Sequence, residues 1–130
     1  MGAGQGGTFR LVIARTQQPL ATRASFASTF RQRLTGFLGR SSIDDGEALI
    51  FTNCRSIHTI GMRCAIDVVM VDTAWRVVAV RPRVAPGRWL LPVSHGWGAI
   101  ETGAGVVPRS GLVVGDQLRV VPATETSSTC

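Results

Sequence analysis

The chain has no lysine: its 130 residues carry 14 basic side chains, all arginine, against 8 acidic ones, for a formal charge of +6. GC-rich coding produces such a bias with no ligand involved. The arginines are also dispersed, whereas phosphate binding needs a clustered field, so nucleic acid is disfavoured as a partner. Cysteine is scarce. Cys54, Cys64 and Cys130 form an odd, sparse set, unlike the even-numbered framework of a secreted disulfide scaffold. No apolar run approaches the roughly 20 residues that span a bilayer. Met1–Gly7 lacks the basic-then-apolar order of a signal peptide, and Gly6 stands where a myristoylation signal wants Ser or Thr. These absences point to a cytoplasmic protein without membrane attachment. No Gly-x-Ser-x-Gly setting and no Walker loop is present, and Gly103-Ala104-Gly105 lacks the spacing and following helix of a dinucleotide-binding turn. Nothing supports a nucleotide enzyme.

An apolar fraction of 45% against 17% charged residues describes a folded chain. Its length suits one core without metal or disulfide staples. The expected organisation is a flexible tail over residues 1–7, one domain over 8–121 and a polar tail over 122–130, with no internal repeat.

Thr8–Arg15 alternates with Phe9, Leu11 and Ile13 on one face, a half-buried strand ended by Gln17-Gln18-Pro19. In Ala24–Leu34, Phe26, Phe30, Leu34 and Phe37 recur at helical spacing behind a capping Ser25, which predicts a core-facing helix stopped by Gly36. Ser41–Gly46 reads as a turn and Ala48–Phe51 as a short strand. From Ile66 to Val71 both faces are apolar, as in the middle of a sheet, which leaves Asp67 at least partly buried and in need of donors. Asp72–Trp75 turns that strand into an antiparallel partner over Arg76–Arg83. Short strands follow at Arg88–Val93, Gly98–Glu101 and Gln117–Val121, with a turn of helix at Val106–Ser110. The expected fold is mainly β: a compact antiparallel barrel or sandwich of about seven or eight short strands with one covering helix.

Five segments occur in order: Gly36-Phe37-Leu38-Gly39-Arg40; Glu47-Ala48-Leu49-Ile50-Phe51; Ser56-Ile57-His58-Thr59-Ile60-Gly61-Met62-Arg63 with Ile66-Asp67-Val68; Ala99-Ile100-Glu101-Thr102-Gly103-Ala104-Gly105; and Gly111-Leu112-Val113-Val114-Gly115-Asp116. Over roughly Phe9 to Val121 this set resembles the DUF192 (UPF0127) family of small mainly β proteins. Ala65 stands where that family usually has proline, and Ala48 and Gly103 also depart from its pattern. No activity is established for the family, so the resemblance implies an architecture and no mechanism.

Three chemistries compete for the stretch around His58. Cys54, His58 and Cys64 form Cys-x3-His-x5-Cys, a donor set suited to zinc at a spacing that is not a recognised zinc pattern; no metal or cofactor is assigned. Asp67 and Glu101, with His58, would serve as acid and base if burial split their pKa values, or each carboxylate pins a loop by accepting backbone N–H groups. Arg40, His58, Thr59 and Arg63 would face a polar or anionic ligand, or one of the arginines neutralises Asp67 or Glu101 internally. The reading adopted is a non-catalytic binding or accessory domain for a small polar or anionic ligand or a protein segment. Its cleft would be lined by Arg40, His58, Thr59, Arg63, Asp67 and Glu101. A small hydrolase or metal-dependent enzyme using the same cleft is the alternative. Polyanion binding through Arg76, Arg81, Arg83 and Arg88 beside Trp89 comes third.

Overall fold

The computed structural model describes residues 8–27, 37 and 39–123. Among them are nine strands: β1 Phe9–Ile13, β2 Gln18–Phe26, β3 Glu47–Phe51, β4 Ile57–His58, β5 Ile66–Val71, β6 Val77–Val84, β7 Trp89–Leu90, β8 Gly98–Gly103 and β9 Leu118–Pro122, with one short helix, α1, at Val106–Ser110. Seven strands form one curled sheet in the order β6-β5-β8-β3-β2-β1-β9, and β4 and β7 form a separate two-stranded ribbon. An Arg76–Gln117 bridge ties the start of β6 to the start of β9, which curls the sheet into a half-barrel. All neighbours in the sheet are antiparallel except β2 and β3. No helix among the described residues is long and apolar enough to cross a membrane.

The two-sided apolar pattern of β5 is explained by its place between β6 and β8, where all six of its residues are buried. On the inner face Leu11, Ile13, Ile50, Val69, Val71 and Ile100 pack with Val106 and Val107 of α1. On the outer face Leu49, Phe51, Ile66, Val68, Met70 and Ala99 pack under Phe37, Met62 and Ile57 of the ribbon. Each face therefore carries its own apolar layer, and parity along a strand decides which layer a side chain enters.

The expected helix over Ala24–Leu34 is corrected at its start. Ala24, Ser25 and Phe26 are the end of β2, paired with Ala48, Leu49 and Ile50 of β3; residues 28–36 lie outside the described residues. Phe26 meets Phe9 and Trp75 edge-on at 5.3 and 6.2 Å, so its aromatic bulk is used on a strand. Pro19, read as a strand stop, sits inside β2 opposite Val12, where the β1–β2 register shifts; an irregular pair tolerates the missing N–H. Pro82 likewise falls within β6, an edge strand of the sheet. Of the tails expected over residues 1–7 and 122–130, residues 1–7 and 124–130 lie outside the described residues, whereas Pro122 ends β9 opposite Phe9.

Candidate functional site

Asp67 is fully buried at the start of β5 and faces the inner layer. Its Oδ1 accepts the backbone N–H of Arg83 at 2.8 Å; its Oδ2 accepts those of Gly105 at 3.0 Å and Val107 at 2.9 Å. The local cause is visible in both partners. The β5–β6 register slips between Ile66 and Val68, and Arg83 adopts φ 50°, which frees its N–H from the ladder. Gly105, at φ 92°, turns the chain into α1 and presents the first amides of that turn to the same carboxylate. Asp67 thus ties β5, β6 and α1 together, the loop-pinning use of a buried acid.

Glu101 is the neighbour across the sheet but not across the site. Asp67 pairs with Thr102, and Val68 with Glu101. The two carboxylates therefore point to opposite faces, and no cleft holds both. Glu101 enters the outer layer between Leu49 and Val68. It is 5% exposed, and its Oε1 is the one buried side-chain oxygen or nitrogen without a hydrogen-bond partner among the described residues. Burial pushes its pKa up to about 7, opposed by the backbone N–H of Phe37, which donates to the carboxyl.

The remaining expected site residues separate in the same way. Thr59 is buried, and its hydroxyl donates to Ala85 O at 2.7 Å while accepting the Arg88 N–H at 2.8 Å. Its N–H donates to Arg88 O and its carbonyl accepts from Met62 and Gly87, so it is the clasp between the β4 and β7 segments. Thr59→Val should lower stability by about 1–3 kcal/mol through the stranded Arg88 N–H and Ala85 carbonyl, measured by urea denaturation. A loss below about 0.5 kcal/mol would mean that the clasp is idle. Arg40 forms an ion pair with Glu47, Nη2 to Oε1 at 2.7 Å, and its guanidinium lies 5.7 Å from the Phe37 ring centre. The Arg40 hydrogen bond holds the Glu47 carboxyl below the usual range. Arg40 is thus an internal partner, though of Glu47 and not of Asp67 or Glu101. His58 is exposed on β4 and stacks on Trp89 of β7, with ring centres 5.4 Å apart and planes 22° apart. Arg63 is exposed.

Cys54, His58 and Cys64 do not converge, and no three His, Cys, Asp or Glu side chains among the described residues are grouped as metal ligands. The Cys54 thiol donates to Ser56 O and the Cys64 thiol to Arg40 O. In a separate ion pair, Arg15 holds the buried Asp116 through Nε at 2.7 Å and Nη2 at 2.9 Å, which lowers the Asp116 pKa.

The barrel-like sheet, the aspartate that pins α1 and the glutamate on β8 all lie within the span matched by one family model, DUF192, described as "Uncharacterized ACR", over residues 11–120. The chain belongs to the DUF192 family. No curated protein matches it. Two crystal structures share the fold. One is a protein of unknown function from Novosphingobium aromaticivorans DSM 12444, with TM-score 0.75, 19% identity, and coverage of 85% of this chain and 83% of that one. The other, from Sinorhizobium meliloti 1021, is described as a candidate transcription regulator; it has TM-score 0.72, 18% identity, and coverage of 88% of this chain and 92% of that one. At these identities the likeness shows the DUF192 fold alone.

Sequence reasoning named Glu101 but missed what surrounds it. The Phe37 amide could not have been placed from a predicted helix, and the pairing of His58 with Trp89 joins two strands too short to leave a periodic signal.

Proposed function

We propose that this DUF192 protein is a non-catalytic binding domain in which Glu101 takes up a small polar ligand through an N–H group, with amines and amidines as the chemical class. The observation that carries the reading is the buried, unpaired Oε1. A buried acceptor without a donor costs about 1–3 kcal/mol, and native interiors rarely keep one without a use. A cationic N–H donor would pair the oxygen and hold the carboxylate ionised. The strongly perturbed pKa beside apolar walls is the pattern that functional carboxyls show. Acid–base catalysis by Asp67 and Glu101 as a pair gains no support from this geometry, since the two face opposite sides of the sheet.

Small primary amines and amidines, with size-matched alcohols and carboxylates as controls, provide the test by calorimetry and thermal shift. The amines should bind and stabilise the wild type while the controls do not. Their affinity should increase as pH rises from 6 to 8, because the carboxylate that receives them forms above about 7. Glu101→Gln should abolish the response. Binding that survives Glu101→Gln, or no amine response at either pH, would overturn the proposal.

A further inference from the structure

The outer surface of the β4–β7 ribbon carries a second, separate feature. Trp89 is 60% exposed, Leu91 72% and Ile60 52%, and His58 lies flat against Trp89. Isolated exposed apolar residues are ordinary, but the two segments that carry these are held together by the Thr59 clasp and the Ile57–Leu90 and His58–Trp89 pairs. The stretch of chain that carries it is one-sided in charge. Between Thr52 and Trp97 the chain carries Arg55, Arg63, Arg76, Arg81, Arg83 and Arg88 against only Asp67 and Asp72. Of the two acids only Asp72 reaches solvent, in the turn after β5. Asp67 is sealed behind backbone amides, and Asp72 Oδ1 accepts the N–H groups of Ala74 and Arg76. The other acids of the described chain that face solvent, Asp44, Asp45 and Glu47, are paired with Arg23, Arg109 and Arg40.

An exposed apolar group containing Trp, flanked in sequence by the exposed Arg55, Arg63 and Arg88, has the composition of a protein-binding patch. We infer that the ribbon docks an acidic segment of a partner protein whose apolar residues sit on Trp89, Ile60 and Leu91 while its carboxylates meet Arg55, Arg63 and Arg88. Single-stranded nucleic acid would use the aromatic stack and the arginines but would leave Ile60 and Leu91 without a role, which favours the peptide. The inference uses none of the contacts of Glu101 and stands or falls apart from the amine site.

A fluorescein-labelled peptide of alternating Glu and Leu or Phe residues, titrated with the full chain, tests it, beside a Glu-only peptide and a single-stranded oligonucleotide of equal charge. The Glu/Leu/Phe peptide should bind at least tenfold more tightly than either comparison probe, and more weakly as salt rises. Trp89→Ala should reduce that affinity at least tenfold, and Arg63→Glu with Arg88→Glu should do the same. Leu91→Ser, at a more exposed position, should also weaken it, so the result does not rest on one fold-sensitive change; thermal melts of each variant report its folding. Tighter oligonucleotide binding that depends on Trp89, equal binding of the Glu-only peptide, no peptide binding, or peptide affinity indifferent to Trp89→Ala and Leu91→Ser would each overturn the inference. So would self-association in ultracentrifugation that Trp89→Ala abolishes, since the occupant would then be a second copy.

Discussion

Asp67→Ala should destabilise the protein by about 4 kcal/mol, because it strands three backbone N–H groups at a cost of about 1–3 kcal/mol each, with partial relief where water reaches Arg83. The amides of Gly105 and Val107 are the costly pair, since both hydrogen bonds are buried. A loss of that size is a large share of a domain's typical stability of about 5–15 kcal/mol and should lower Tm by roughly 10–20 °C. Asp67→Asn should fall between wild type and alanine: its one oxygen can serve either Arg83 or the α1 amides, while its NH2 faces donors on the other side. Urea denaturation gives the free energy, and hydrogen exchange at Gly105 and Val107 shows whether these amides are the ones released. A loss under about 1 kcal/mol for Asp67→Ala would show that the pin bears little load.

The second large effect concerns Glu101 and has the opposite sign. Its pKa in the folded protein, about 7, lies above the ordinary value of 4.5. The unfolded chain therefore releases this proton first as pH rises, and folding is progressively penalised between pH 4.5 and 7. Below that window the penalty is absent; above it the penalty is complete, at about 3 kcal/mol for a shift of this size. Glu101→Gln should remove the pH-dependent part, so its stability relative to wild type should improve by up to about 3 kcal/mol on going from pH 4.5 to pH 8. Glu101→Leu, which suits the Leu49 and Val68 walls, should show the same trend without a buried amide to satisfy. Asp116 acts in the opposite direction at lower pH: its depressed pKa gives stability that is present above its ordinary 3.8 and lost as pH falls further. The wild type should therefore be most stable in mildly acid solution. Denaturation curves at closely spaced pH values check this; parallel wild-type and Glu101→Gln profiles between pH 4.5 and 8 would contradict it.

The most legible parts of this fold in the sequence were those fixed by local pattern. β5 announced its central position by being apolar on both faces, and the buried Asp67 within it had to find donors. The Asp72–Trp75 turn and the helical turn at Val106–Ser110 were also readable, because turn chemistry and short apolar runs act within a few residues. β2 was hidden because Phe26 falls into helical step with Phe30 and Leu34, while the small residues Ala21 and Ala24 carry little strand signal of their own. The relation between Asp67 and Glu101 was illegible for a different reason. It depends on the β5–β8 register, and a slip of one residue would have put both carboxylates on the same face. His58 stood close to Asp67 in the chain yet belongs to the outer surface of a ribbon whose pairing with Trp89 no local pattern specifies.

The claim on which the functional reading depends is that Glu101 is a buried carboxyl with one oxygen left free. Site-specific carbon NMR titration of its carboxyl measures that state directly, with Glu101→Gln assigning the resonance. The account predicts a midpoint near 7 in the free protein, moving down when a saturating amine binds. A midpoint at the ordinary value of 4.5, unmoved by amines, would contradict it.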